Sequence, residues 1–195
     1  CPAAKPNGSQ YYCEDKRLGP AVLPATAALM PLLAHYKQLG GLCPEEWLRN
    51  YTFTPGNGSY RYPLFEGFQL STEGVPIEGE VLLPAGTLLD RFGPPSGRYL
   101  SPAYTPAAQR ALPPSRFNPP MEYHVYEVLT ELNVTAGTIA AAFGQPGQGT
   151  QYQLDVAVAE LLGKNLTEIF VGVSIPPNHS QDVTFSPVHL VSSNV

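Results

Sequence analysis

Four arginines lie in one stretch of the sequence that contains no acidic residue and no lysine. The stretch covers residues 91–121, and its arginines are Arg91, Arg98, Arg110 and Arg116. A guanidinium group stays charged, and its planar fork matches two oxygens of a phosphate or carboxylate, so this pattern predicts a site for an anionic ligand. Asp90 and Glu122 bracket the stretch, and surface pairing with these acids is the alternative interpretation.

A second candidate segment is rich in glycine. Residues 144–149 contain three glycines, which let a backbone approach a ligand closely, and Gln151 follows them. Its amide group could hydrogen-bond an amide or a ribose hydroxyl. The segment lacks the Gly-Lys-Ser/Thr ending of a Walker loop and the spacing of a dinucleotide fingerprint. A tight loop is therefore the alternative interpretation.

Other catalytic groups are few. No Gly-x-Ser-x-Gly elbow occurs, and the histidines show no metal-ligand spacing; they are His35, His124, His179 and His189. A glycosidase needs two facing carboxylates, and the sequence does not show that any two of its acids face each other; the acids available are Glu127, Glu131 and Asp155. A lone histidine such as His124 on an alternating strand is more typical of a satisfied core residue than of a base.

Six of the eight asparagines lie in Asn-x-Ser/Thr sequons, whereas about one such match is expected by chance for this composition. This excess predicts passage through a eukaryotic secretory route. The predicted glycosylation sites are Asn7, Asn50, Asn57, Asn133, Asn165 and Asn178.

The three cysteines all lie in the first quarter of the chain. Cys1, Cys13 and Cys43 predict an N-terminal segment stapled by a disulfide in an oxidising compartment, with one thiol free, paired between chains or bonded elsewhere. Zinc is the alternative, but the spacings match no common zinc pattern and His35 is the only nearby imidazole.

The composition limits the class of protein. The chain has 195 residues with 22 Pro and 18 Gly, which predicts a compact, loop-rich fold with short elements. The net charge of −5 argues against nucleic acid or an anionic membrane as the main partner. No apolar run approaches the roughly 20 residues that a membrane-spanning helix needs.

The predicted secondary structure that positions these residues is helical in the N-terminal part of the chain and mainly strands in the rest. Residues 25–38 and 44–49 predict helices, and the turn cluster near residue 58 predicts a boundary between an N-terminal helical segment, 1–58, and a second domain, 59–195. Further on, short strands are predicted together with one helix over 155–162; the strands are 80–83, 87–91, 122–132 and 168–174. Residues 138–143 fit either type. The predicted class is α+β with a mainly antiparallel sheet.

Several of these segments together resemble a known family. The blocks 90–102, 109–114, 123–126 and 142–152 resemble the tuberculosis necrotizing toxin domain in order and rough spacing. With its sequons and its cysteine-bearing N-terminal segment, the chain is most similar to secreted, cell-surface NADases of filamentous fungi. The resemblance implies a toxin-like fold and hydrolysis of NAD, and also of NADP, to nicotinamide and ADP-ribose.

The resemblance also implies roles for particular residues. Arg91 and Arg110 match arginines that hold the pyrophosphate and orient the nicotinamide ribose. Gln151 matches an essential glutamine near the scissile bond, and His124 matches a histidine implicated in the bacterial toxin. Substrate-binding positions that line the cleft are expected at Phe92, Tyr99 and Phe143. The matched blocks contain no acid in a stabilising role, so the group that stabilises the oxocarbenium ion stays unassigned.

The resemblance further implies a homodimer and no catalytic cofactor, because NAD is the substrate. A structural calcium ion near the C-terminus is expected, with Asn178 and Asp182 as candidate oxygen ligands. The expected location is extracellular or at the cell surface. The alternatives are an ADP-ribosyltransferase or cyclase that uses the same dinucleotide, a toxin delivered into other cells, and a non-enzymatic glycoprotein that binds an anion.

Overall fold

A seven-stranded antiparallel sheet forms the centre of the protein in the computed structural model, which describes residues 9–53 and 59–173. The strands are β1 Glu78–Leu83, β2 Leu88–Phe92, β3 Tyr99–Pro102, β4 Glu122–Val128, β5 Leu132–Thr138, β6 Thr150–Gln153 and β7 Leu166–Val173. Their spatial order is β1-β5-β6-β3-β2-β4-β7, and each neighbouring pair is antiparallel. The predicted mainly antiparallel α+β class is confirmed.

The helices are shorter than the sequence predicts. The helix expected over 25–38 is reduced to α1 Met30–Leu33, because Pro31 lacks an amide hydrogen and fits only the first turn. The second predicted helix is confirmed as α2 Pro44–Tyr51. The helix expected over 155–162 is reduced to α3 Val158–Leu161, where the Glu160 side chain accepts a hydrogen bond from the Ala157 amide.

One predicted strand is two strands. The alternating pattern over 122–132 is interrupted after Val128, where the chain leaves β4 and then enters β5 at Leu132. The two strands do not pair with each other: β4 lies between β2 and β7, and β5 lies between β1 and β6. The alternating pattern correctly predicted that both segments are strands. It could not show that the two strands pair with different neighbours.

Apolar side chains cover both faces of the sheet near β2 and β4. Phe92 and Tyr123 are register partners, and both belong to a buried cluster with Leu32 from α1. Leu89 and Tyr126 are also partners, but they belong to a second buried cluster with α3. Because successive side chains on a strand alternate in direction, β2 sends Asp90 and Phe92 to one face and Leu89 and Arg91 to the other.

The N-terminal segment packs on the turn that carries Phe143. Trp47 of α2 is fully buried, and its indole N–H donates to the Phe143 carbonyl oxygen over 3.1 Å. Cys43 takes part in a disulfide bond, and Cys13 is a free, exposed thiol. The complete predicted staple and the boundary at residue 58 stay predictions.

The predicted glycosylation sites differ in accessibility. Asn50 and Asn133 are exposed, whereas Asn165 is half-buried and donates to the Thr130 hydroxyl over 2.9 Å. The remaining three lie outside the described residues: Asn7, Asn57 and Asn178. Over the described ranges, none of the helices has the length and apolar character to cross a membrane.

Candidate active site

A cleft of about 880 Å³ opens where β2 ends and β3 and β6 begin. It brings together six of the seven residues that the sequence singled out for catalysis or substrate binding. They are Arg91, Phe92, Tyr99, Arg110, Phe143 and Gln151. The seventh, His124, does not line it. The roles of all seven stay predictions, and the geometry below states what each side chain contacts.

Arg110 is fixed by a buried carboxylate. Its Nη2 forms an ion pair with Oδ1 of Asp90, and its Nε donates to the Thr105 carbonyl over 2.8 Å. Asp90 is completely buried, and its second oxygen accepts from the Tyr123 hydroxyl at 2.6 Å and from the Tyr104 amide at 2.7 Å. Burial raises the pKa of Asp90, while Arg110 acts in the opposite direction. Arg110 is therefore held in one position at the cleft wall.

A second cationic wall is formed by Arg91 and Arg116. Arg91 donates from Nε to the Pro94 carbonyl and from Nη1 to the Tyr99 carbonyl, both at 2.8 Å. Burial, and then the nearby guanidinium of Arg116, lower the pKa of Arg91 to about 10. Neither arginine has a carboxylate ion-pair partner among residues 9–53 and 59–173. Two adjacent guanidinium groups without an ion-pair partner in these ranges are a candidate site for an anion.

The alternative interpretation is that the arginines pair at the surface with the bracketing acids. One of the four arginines does pair with such an acid, but that pair is buried. Asp90 pairs with Arg110, twenty positions away in the sequence, while Glu122 contacts His124. Arg98 pairs with Glu66 at 3.1 Å on the exposed rim. The anionic-ligand interpretation therefore rests on Arg91 and Arg116, together with the side of Arg110 that lines the cleft.

The aromatic residues of the cleft make different kinds of contact. Phe92 lies under the Arg110 guanidinium, with 5.3 Å from Cζ to the ring centre. Phe143 has a left-handed backbone, with φ of 55°, and its buried ring packs against Trp47 and Tyr62. Tyr99 is half-buried, and its hydroxyl donates to Glu66. Phe92 and Phe143 thus shape the wall, whereas Tyr99 presents a polar contact.

Gln151 is hydrogen-bonded to Glu66, a residue that no sequence motif singles out. Its Nε2 donates to the Glu66 carbonyl oxygen over 3.0 Å. Glu66 lies outside the blocks that carry the family resemblance, and no motif surrounds it. In the folded backbone, Phe65 and Glu66 are two successive left-handed residues, with φ of 51° and 57°. The sequence alone does not show this conformation.

His124 lies outside the cleft between two carboxylates. Its Nδ1 contacts Glu168 of β7, and its Nε2 lies 3.1 Å from Glu122. Its ring stacks on Tyr126 with 5.9 Å between centres. Both ring nitrogens therefore have partners, and the contacts link β4 to β7. The geometry gives no support to the predicted role of His124 as a catalytic group.

The described residues around the cleft do not meet the requirements of a metal site. No cluster of three His, Cys, Asp or Glu side chains suited to a metal occurs in the described ranges. The candidate calcium ligands, Asn178 and Asp182, lie outside those ranges. The calcium expectation stays a prediction.

Gly97 provides a test of Arg91. A Cβ atom at this position would overlap the Arg91 guanidinium, and the Gly97 backbone is not left-handed. We expect Gly97→Ala to displace that guanidinium and to lower kcat/KM for the cleft's substrate about 10-fold to 100-fold, since a hydrogen bond to a charged group contributes roughly 1.5–3 kcal/mol. Steady-state kinetics and a melting curve measure the two effects separately.

The matched control is Gly79→Ala in β1, where an added Cβ would meet nothing within 4 Å. It should leave kinetics and melting temperature near wild type. Normal kinetics in Gly97→Ala would mean that Arg91 is not needed in its present position.

Comparisons with known proteins agree with this region of the chain. The model of the family described as tuberculosis necrotizing toxin matches residues 82–169. The conidial surface nicotinamide adenine dinucleotide glycohydrolase of Aspergillus fumigatus is 47% identical over 148 residues, which is 73% of this chain and 63% of that protein. The chain thus spans less than two thirds of that relative's length. The resemblance noted in the sequence is confirmed.

Two solved structures are also similar to the chain. Tuberculosis necrotizing toxin, complexed with its immunity factor, matches with a TM-score of 0.49 and 21% identity, covering 65% of this chain and 71% of the toxin. Rhs1-CT in complex with its cognate immunity protein matches with a TM-score of 0.38 and 19% identity, covering 55% of this chain and 83% of Rhs1-CT.

Proposed function

Residues 82–169 match the model of the tuberculosis necrotizing toxin family, and from this premise we propose that the protein hydrolyses NAD, and also NADP, to nicotinamide and ADP-ribose. The observation that carries the proposal is the charge pattern of the cleft. Arg91 and Arg116 form a cationic wall without a carboxylate ion-pair partner in the described ranges, while Glu66 brings a carboxylate to the same cleft that Gln151 lines. NAD has the matching pattern, with an anionic diphosphate and a cationic pyridinium.

The chemistry suits this set of side chains. When the bond between C1′ and the pyridinium nitrogen breaks, its electron pair stays on nitrogen and nicotinamide leaves as a neutral molecule. No general acid is needed, and water then adds to C1′ and releases one proton to solvent. The transition state resembles an oxocarbenium ion. Catalysis can therefore come from positioning and from fixed charges.

Each part of the cleft would contribute to that positioning. Arg91 and Arg116 would hold the diphosphate, and Arg110, fixed by Asp90, would orient the ribose next to it. Phe92 and Tyr99 would pack on the nicotinamide ribose. Gln151 would contact the ribose or the attacking water, since its carboxamide oxygen remains available when Nε2 donates to Glu66.

The test is chromatography of the protein incubated with NAD and no acceptor. Equimolar nicotinamide and ADP-ribose are expected, and NADP should release nicotinamide too. Gln151→Ala should reduce the rate about 10²-fold, the size of effect seen when one preorganised polar group is removed from a site. Gln153→Ala is the matched control, because it lies on the same strand but does not line the cleft.

Other outcomes would point to the alternatives. Nicotinamide release with a cyclic product or a modified protein in place of ADP-ribose would indicate a cyclase or an ADP-ribosyltransferase. No release, with NAD still raising the melting temperature, would indicate a non-enzymatic binder.

The proposal extends to location and assembly. We place the protein outside the cell or at its surface, supported by exposed sequons at Asn50 and Asn133 and by a disulfide at Cys43. A homodimer is proposed as well, since edge strand β1 exposes the apolar side chains of Val81 and Leu82. Mass measurement before and after enzymatic deglycosylation and light scattering check these two points.

A further inference from the structure

Glu66 lies in a turn that the fold holds in a strained conformation. Phe65 and Glu66 both have left-handed backbones, which are uncommon for side chains of this size and concentrate at functional sites. The turn is fixed from two sides: Gln151 Nε2 donates to the Glu66 carbonyl over 3.0 Å, and the Ala140 amide donates to the Gly67 carbonyl over 2.9 Å. These two hydrogen bonds fix the backbone at Glu66, and Glu66 lines the same cleft as Gln151.

The side chain of Glu66 is oriented by two donors. The Tyr99 hydroxyl donates to Oε2, and Arg98 Nη2 lies 3.1 Å from the same oxygen. These contacts hold the pKa of Glu66 below its usual value, so the group carries its negative charge at neutral pH. The other carboxylate oxygen, Oε1, has no partner among the described residues and remains available.

Two other acids line the cleft, and they are placed differently. Glu160 accepts from the Ala157 amide at the start of α3. Asp155 is exposed, and Gln151 donates to Glu66 and not to Asp155. Among the three acids, Glu66 is the one whose backbone carbonyl is bonded to Gln151 and whose carboxylate is bonded to Tyr99.

We propose that Glu66 is a further catalytic residue, whose carboxylate faces the nicotinamide ribose and stabilises the positive charge that develops at C1′. This inference rests on the proposed hydrolysis of NAD. As the C1′–N bond breaks, its electrons neutralise the nicotinamide ring, and the positive charge moves onto the ribose next to the carboxylate. Water then adds to C1′, and its proton passes to solvent. Fixed charges aimed at developing charge are strong contributors to catalysis.

The competing interpretation is an ordinary surface ion pair between Glu66 and Arg98, which contributes little to stability. The test compares Glu66→Gln, which keeps the shape and removes the charge, with Asp155→Asn, which removes the same charge from another part of the cleft. Three quantities are measured for each variant and for wild type: kcat and KM for NAD, the inhibition constant of NADH, and the melting temperature. NADH has nearly the shape of NAD but lacks the pyridinium charge and a neutral leaving group.

The expected result is a fall in kcat of about 10²-fold for Glu66→Gln, with the inhibition constant of NADH and the melting temperature within about twofold and a few degrees of wild type. Asp155→Asn should change kcat much less. Glu66→Asp, which restores a shorter charged side chain, should recover part of the activity.

Two results would overturn the inference without touching the proposed function. A wild-type kcat in Glu66→Gln, with nicotinamide still released, would show that the charge is not used. Equal losses in kcat and in NADH binding would show that Glu66 only supports Gln151 and Tyr99. Failure of the wild-type protein to release nicotinamide would instead refute the proposed function.

Discussion

Asp90→Ala is expected to lower the free energy of unfolding by about 3–5 kcal/mol, because removal of one partner leaves the other charge of a buried ion pair uncompensated. The Arg110 side chain has an exposed fraction of only 5%, and Asp90 is its ion-pair partner. The Tyr123 hydroxyl and the Tyr104 amide would lose their acceptor in the same variant. Urea unfolding followed by circular dichroism measures the change.

A double-mutant cycle with Arg110→Met separates the ion pair from the remaining contacts. Replacing both charges with apolar groups is far less destabilising than replacing one. The double variant should therefore lose less than the sum of the two single variants. Additive losses would contradict the argument and would place the cost in the Tyr123 and Tyr104 hydrogen bonds.

The pH dependence of stability gives an independent check of Asp90. Its pKa is raised in the folded state, first by burial, so the folded protein retains the proton over a pH range in which the unfolded chain has lost it. Stability should fall as pH rises from about 4, the ordinary value for an aspartate, through the raised pKa. Asp90→Asn should remove this part of the dependence, and an unchanged profile would mean that Asp90 does not titrate in the folded protein.

The resemblance supplied candidate site residues from separate blocks, and the fold brings Arg91, Arg110 and Gln151 to one cleft, while their roles stay predictions. It did not predict the groups that position them. Surface pairing with nearby arginines is the alternative that the sequence predicts for Asp90, yet Asp90 is buried and pairs with Arg110, twenty positions away. Glu66 carries no motif, and its proximity to Gln151 depends on contacts between residues 85 positions apart.

The secondary-structure prediction was correct where the local sequence pattern determines the element. It was wrong where the pairing of strands or the packing of the chain determines it. Short strands between Pro and Gly were found because both residues punctuate elements. The alternation over 122–132 continued across a change of sheet partner, which hydrophobic pattern does not record. The helix predicted over 25–38 is too long. The Ala/Leu-rich composition favours a helix, but Pro31 is compatible only with the first turn, and the observed helix has a single turn.

Substitution of Trp47 tests whether packing of the N-terminal segment stabilises the cleft, and a large effect is expected. It is fully buried, and its ring contacts Tyr51, Tyr60 and Phe143. Trp47→Ala is expected to destabilise the protein by about 3–5 kcal/mol through cavity formation. It also removes the donor to the Phe143 carbonyl, so we expect kcat/KM for NAD to fall together with stability.

Trp47→Phe is the matched variant, since it keeps an aromatic ring and removes the indole N–H; a smaller loss of about 1–3 kcal/mol is expected from the unpaired carbonyl. Phe53→Ala, at a site with an exposed fraction of 60%, should change stability little. Urea unfolding by circular dichroism and NAD kinetics are measured on the same samples. A single cooperative transition that shifts with Trp47→Ala would mean that the segment and the cleft domain fold as one unit. Loss of a separate transition, with kinetics unchanged, would mean that the boundary near residue 58 divides two independent units and that Phe143 holds its place without Trp47.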